Sequence, residues 1–256
     1  MATEAVLRSA AKPRPAYRPV NRTRERIFFS GMAVLLCVVV VYGFSQTYFL
    51  AGMVNAPLPA PILHYHGAVF SLWMILYVVQ TAFISAGRVA WHRTFGAIAF
   101  FLPPIMIVLG IIAGLNALHR GVEIGPLDPA TSLAIPLIGI VAFAIVIYAS
   151  WQARRRPDAH KRLILLATAC LTEAAFGRFP WYKIGLPPAA GAVTGIGFLV
   201  VLLLAYDLIS LHRVHRTTMW AGSLVFLVAA LSVPIGMTAP WHSFAGFLAR
   251  NVANHL

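Results

Sequence analysis

The chain has 256 residues, of which 60% are hydrophobic and 11% charged, and its formal net charge is +13. Its mean hydropathy of +0.80 excludes a water-soluble globular domain, which would be about a quarter charged. Two cysteines, Cys37 and Cys170, both inside apolar runs, exclude a disulfide-built scaffold.

Residues 1–25 are polar, basic and broken by Pro13, Pro15 and Pro19, which predicts a disordered cytoplasmic tail. A bilayer-crossing helix needs about 20 apolar residues, and residues 26–238 divide into seven such runs. The first spans 27–50 and ends in a turn holding Pro57, Pro59 and Pro61. The second spans 62–86. The third, 94–118, carries Pro103 and Pro104 at its middle, where two missing backbone donors predict a kink. An acidic loop with Glu123 and Asp128 precedes the fourth, 132–151. The fifth, 163–181, is short; the sixth spans 189–211 and the seventh 218–237. Residues 239–256 are too short and too polar to cross. There Trp241, Phe244, Phe247, Leu248 and Val252 recur every three or four residues, which predicts an amphipathic helix on the outer surface. Lying over the bundle as a lid, that helix would bring His242 above His64 and His66. The expected fold is an all-α integral membrane protein, a seven-transmembrane-helix bundle.

The positive charge orients this bundle. Seven of the 20 basic residues precede the first apolar run. With the N-terminus inside, the inner turns hold nine more (Arg88, Arg93, Arg154, Arg155, Arg156, Lys161, Arg162, Arg213, Arg216), and the outer side holds Arg120, Arg178, Lys183 and Arg250. Lys and Arg concentrate in cytoplasmic loops, so the N-terminus is expected inside and the C-terminus outside. The clustering in turns argues against nucleic acid and for the lipid bilayer and its anionic lipids as partners. Arg93, Lys161, Arg162 and Arg216 start helices, where the dipole disfavours cations, and are expected to meet lipid head groups. Asp207 is expected to pair with Arg213 and Arg216 at the interface. Each inner turn also sets His beside Arg or Lys, at His92, His160 and His215.

Two chemistries can be set aside. Retinal photochemistry needs a Schiff-base lysine in the membrane, and none of Lys12, Lys161 and Lys183 lies in a helix core. No HExxH occurs, and His64 and His66 stand about 200° apart on a helix. At the outer side, however, Gln46, Tyr48, His64, His66, Asn116, His119, Arg178 and His242 fall at similar depth. Such a layer could bind haem b through axial His and a propionate-binding Arg, hold a quinone head group, or be an ordinary interfacial belt. Metal ligation stays open. Glu173, in the middle of the fifth run, would cost about 2.5–3.5 kcal/mol if ionised there. It reads as a proton relay, a ligand, or a protonated carboxyl bonded to a neighbouring helix. Gly191 and Gly195 form a GxxxG suited to close packing inside the bundle.

The strings LHYHG (Leu63 to Gly67), AGRVAWHRTFG (Ala86 to Gly96) and RRPDAHKRLILLAT (Arg155 to Thr168) resemble an uncharacterised family of bacterial multipass membrane proteins. The resemblance covers roughly helices two to five and implies a bacterial inner membrane and no particular activity. A fainter likeness to b-type cytochromes fails on spacing, because those proteins carry His pairs deep in facing helices.

The reading from sequence is a non-catalytic membrane subunit or redox module binding haem b or quinone in the outer half through Gln46, His64, His66, His119, Arg178 and His242. The alternatives are a structural subunit assembled with other membrane proteins, and a proton-coupled small-solute transporter using Glu173.

Overall fold

A computed structural model of the chain describes residues 21–53 and 60–251. The first 20 residues of the expected tail, Pro57 and Pro59 of the first turn, and Val252 of the expected amphipathic stripe lie outside the described residues.

The described chain is all helical: α1 (Arg22–Gly43), a π-helical turn (Ser45–Phe49), α2 (Pro61–Ser85), α3 (Val89–Ala99), α4 (Leu102–His119), α5 (Pro129–Gln152), α6 (Pro157–Cys170), α7 (Glu173–Phe176), a 3-10 turn (Trp181–Ile184), α8 (Pro188–Leu211), α9 (Arg216–Gly236) and α10 (Ala239–Asn251). Local chemistry sets the starts. The Asn21 side chain accepts from the amides of Thr23 and Arg24, Asp128 does the same for Ala130 and Thr131, and proline sits in the first turn of α2, α4, α5, α6 and α8. Each device supplies or removes the need for a donor partner at a helix N-terminus.

Six helical stretches are long and apolar enough to cross a membrane: α1, α2, α3 with α4, α5, α8 and α9. This is a multipass all-α membrane protein. The kink expected at Pro103 and Pro104 is a break, with Phe100 and Phe101 in a turn between α3 and α4. Neither proline has an N–H to give the carbonyl four residues back.

The fifth predicted helix needs correction. It begins six residues early, at Pro157, so the His-Lys-Arg string lies on the helix rather than before it. It also stops at Cys170. The amides of Leu171 and Thr172 bond three residues back, to Thr168 and Ala169, and the Thr172 hydroxyl donates to the Ala169 carbonyl (2.7 Å). One short turn, α7, follows. This broken element lies at the centre. α6 packs on α5, α9, α1 and α8, and α7 packs on α8 and α1. Leu163, Leu165, Leu166, Ala167, Thr168 and Ala169 are all buried.

Side-chain pairs give the relative directions. Gly236, at the end of α9, lies against Thr131 and Ala134 at the start of α5. The Arg26 side chain and Ser30 of α1 meet Ser85 at the end of α2. Arg162 of α6 meets Asp207 of α8. The rings of Phe176 and Trp181 meet Gly195 and Gly191, nearer the start of α8.

Candidate functional site

Glu173 opens α7, at the break in the central element, and is 9% exposed. A Cβ at Gly139, near the middle of α5, would lie 3.5 Å from its Oε2. Among the described residues no cation or hydrogen-bond donor meets the carboxyl.

Glycines let the backbone come this close. A Cβ at Gly43 of α1 would stand 2.5 Å from the Ala175 carbonyl oxygen, and Cβ atoms at Gly195 and Gly191 of α8 would collide with the rings of Phe176 and Trp181. The GxxxG face therefore receives this segment. The Trp181 indole donates to the Phe176 carbonyl (2.6 Å), which closes the end of the short turn. Gly139, Gly43, Gly191 and Gly195 thus come from three helices to one buried stretch, and only the last two were marked by their spacing.

The residues expected to form one outer layer are spread around the bundle. His64 is exposed, with its ring 5.8 Å from that of Tyr48. Tyr48, carried on the π turn, presses against Gly67. His66 is half-buried and stacked on Phe70 at 4.0 Å, and its Nδ1 has no partner among the described residues. Gln46 and His119 are exposed. Arg178 donates to the Ala174 carbonyl (2.6 Å), and its guanidinium lies 4.4 Å from the Phe44 ring.

His242 sits elsewhere, on the N-terminus of α5. Its Nε2 is 3.2 Å from Thr131 Oγ1 and 3.9 Å from Asp128 Oδ2. The Trp241 indole donates to the Ala130 carbonyl (2.7 Å). α10 is thus a helix, as expected, and it docks on α5, α4 and α9. Its packed face centres on Ala245, while Phe244 and Phe247 stay exposed. The small side chain allows the closest approach, so the buried face is turned away from the aromatic stripe. Asp128 binds both Thr131 and the first amides of α5; the Thr131 hydroxyl, ahead of those amides, holds its carboxyl below the ordinary value of 3.8.

The basic end of the bundle holds a buried ionic network. Arg162 is 1% exposed and donates from Nε to Asp207 Oδ1 (3.0 Å), with Nη2 bonded to the same oxygen. Its Nη1 reaches the Asp158 carbonyl (2.8 Å). The second Asp207 oxygen accepts from the His215 amide (3.0 Å) and the Thr218 hydroxyl (2.5 Å). Asp207 therefore pairs with Arg162, not with Arg213 or Arg216, and Arg162 does not reach head groups. Lys161 is likewise engaged, with Glu25 and Asp158. Arg93 and Arg216 are exposed. The three histidines set beside Arg or Lys do different things: His160 bonds the Ser150 carbonyl (3.0 Å), His215 caps α9 through Nδ1, and the His92 ring stands 6.4 Å from that of His160.

Among the described residues no group of three or more His, Cys, Asp or Glu could hold a metal ion. Comparison with family models, curated proteins and solved structures gave no match to this chain.

Proposed function

We propose that the chain crosses the membrane seven times and moves a proton through the bundle on Glu173, coupled to passage of a small solute. One observation carries the proposal: a buried carboxyl without a partner among the described residues, at the interruption of the central helix. A carboxylate at the middle of a bilayer costs about 2.5–3.5 kcal/mol or more, and taking up a proton removes that cost. Interrupted helices with buried carboxyls recur in ion-coupled transporters.

The seventh crossing is the segment from Pro157 to Ile184. α5 and α9 run antiparallel, as the contact of Gly236 with Thr131 implies. α8 returns into α9 through a short turn, so α5 and α8 run the same way. The chain between them must then recross. The distribution of Lys and Arg favours the N-terminal end inside and α10 at the outer face, and the bacterial inner membrane rests on the sequence resemblance.

The test is proton uptake into liposomes holding the purified protein. Glu173→Gln is expected to abolish solute-driven uptake while leaving the melting temperature equal or higher, because a neutral amide is cheaper to bury than a carboxylate. Uptake by the Gln variant equal to wild type would sink the proposal.

A second reading, a quinone site, is favoured by the half-buried His66, whose Nδ1 lacks a partner among the described residues; His64, about 200° round the same helix, faces Tyr48 instead. An imidazole nitrogen can donate to a quinone carbonyl or accept from a quinol hydroxyl, according to its tautomer. The site suits haem b less, because Arg178 and His242 are held at other helices. Organic extraction of protein purified from its native membrane is expected to yield about one quinone per chain on this reading. Extracts with no quinone, together with a spectrum lacking a Soret band, would remove both cofactors.

A further inference from the structure

The break between α3 and α4 leaves an open groove of about 380 Å³ against α5. Phe100, Pro103, Pro104, Ala144, Tyr148 and Trp151 line it. Phe101, which also lines it, is 75% exposed and Tyr148 is 64% exposed, so the groove opens on the perimeter of the bundle and not into its interior. Its volume falls within the roughly 300–1,000 Å³ of ordinary ligand sites. It runs along α5 from Ala144 to Trp151, towards the basic end.

Arg154 stands at that end. Its Nη1 donates to the Trp151 carbonyl (3.0 Å), and its guanidinium lies 4.5 Å from the Trp151 ring. A guanidinium has five N–H donors, so most remain free for another acceptor. Among the described residues no carboxylate pairs with Arg154. Arg155 and Arg156 follow it, both exposed.

We infer that this groove is a binding site for an anionic phospholipid, with one acyl chain against Phe100, Pro103 and Ala144 and the phosphate on Arg154. The apolar wall alone would not select a ligand, because lipid tails in the bilayer are as apolar as the groove, and a chain gains only packing there. Arg154 supplies the choice. It lies over Trp151 at the end of an apolar groove, and a guanidinium can meet a phosphate in a bidentate manner that a lysine cannot match. Arg154 also interacts favourably with the C-terminal end of α5, but that role needs no groove beside it and no lipid.

The test uses the full chain, stripped of lipid in a neutral detergent and titrated with phosphatidylglycerol or phosphatidylcholine, with retained lipid counted by native mass spectrometry. One phosphatidylglycerol is expected to bind about fivefold more tightly than phosphatidylcholine, as one basic residue at a membrane surface supplies. Arg154→Gln should bring the two lipids to parity, whereas Arg120→Gln at the opposite end should keep the preference. Ala144→Phe should weaken both lipids alike by filling the groove. The inference is overturned if Arg154→Gln retains the wild-type preference, or if a folded Ala144→Phe variant holds lipid as tightly as wild type. Arg154 is exposed, so its variant folds and decides the matter by itself.

Discussion

Arg162→Ala is expected to lower stability by about 3–5 kcal/mol, the cost of leaving one member of a buried ion pair alone. The remaining carboxylate, Asp207, is fully buried. It would keep the His215 amide and the Thr218 hydroxyl but lose the charge that balances it. The loss reaches four helices, because Arg162 on α6 joins Asp207 on α8 and, through Asp207, the start of α9, while its neighbour Lys161 holds Glu25 of α1. The double change Arg162→Met with Asp207→Leu should recover most of the loss, since well-packed apolar residues often replace a buried pair without penalty. Asp207→Asn should cost about as much as Arg162→Ala, because its NH2 must face the donors of either Arg162 or Thr218 and His215, and the buried Arg162 charge loses its counter-ion. Thermal unfolding in detergent reads all three. A single Arg162→Ala variant within about 1 kcal/mol of wild type would mean that the pair is not buried as described.

Gly43→Ala is expected to cost about 1–3 kcal/mol, the usual penalty for forcing an extra methyl into a full space. The new Cβ would meet the O, C and Cα atoms of Ala175, at 2.5 to 2.8 Å. These are backbone atoms, so no rotamer change relieves the contact and the α7 segment itself must shift. Because α7 begins with Glu173, the proton uptake proposed above should fall together with stability. Gly31→Ala provides the contrast. It lies on the same helix with nothing within 4 Å of the added Cβ, and replacing a mid-helix glycine stabilises by about 0.5–1 kcal/mol. Melting temperatures that move in the same direction for both variants would remove the close approach of α1 to α7 as the cause.

Much of the fold was legible because apolar runs of membrane length have few other uses. The break at Pro103 and Pro104 could be read because proline chemistry is local. The interruption after Cys170 could not. It rests on the Thr172 hydroxyl bond and on glycines supplied by α1, α5 and α8, and nothing nearby in sequence marks it. Glu173 itself was legible as a costly residue in an apolar run, whereas its lack of a partner was not. Asp207 was assigned to Arg213 and Arg216 by nearness in sequence, but its partner lies 45 residues earlier. The outer histidine layer erred differently. Sequence position suggests depth along a helix but not the direction a residue faces around the bundle, and the structure sets His242 on Thr131 and His64 on Tyr48. For α10 the aromatic spacing gave the helix, and the smaller Ala245 chose the packed face.

The central position of α6 also bears on how the protein is made. Asp158, Lys161 and Arg162 occupy its first turns and Glu173 lies just beyond its end, so this segment partitions poorly into lipid when it leaves the ribosome. Its counter-charge is delivered only when Asp207 has been synthesised, 45 residues after Arg162. Until Asp207 is made, the Arg162 charge has no counter-ion, so the buried packing of α6 on α8 can form only after α8 has been synthesised.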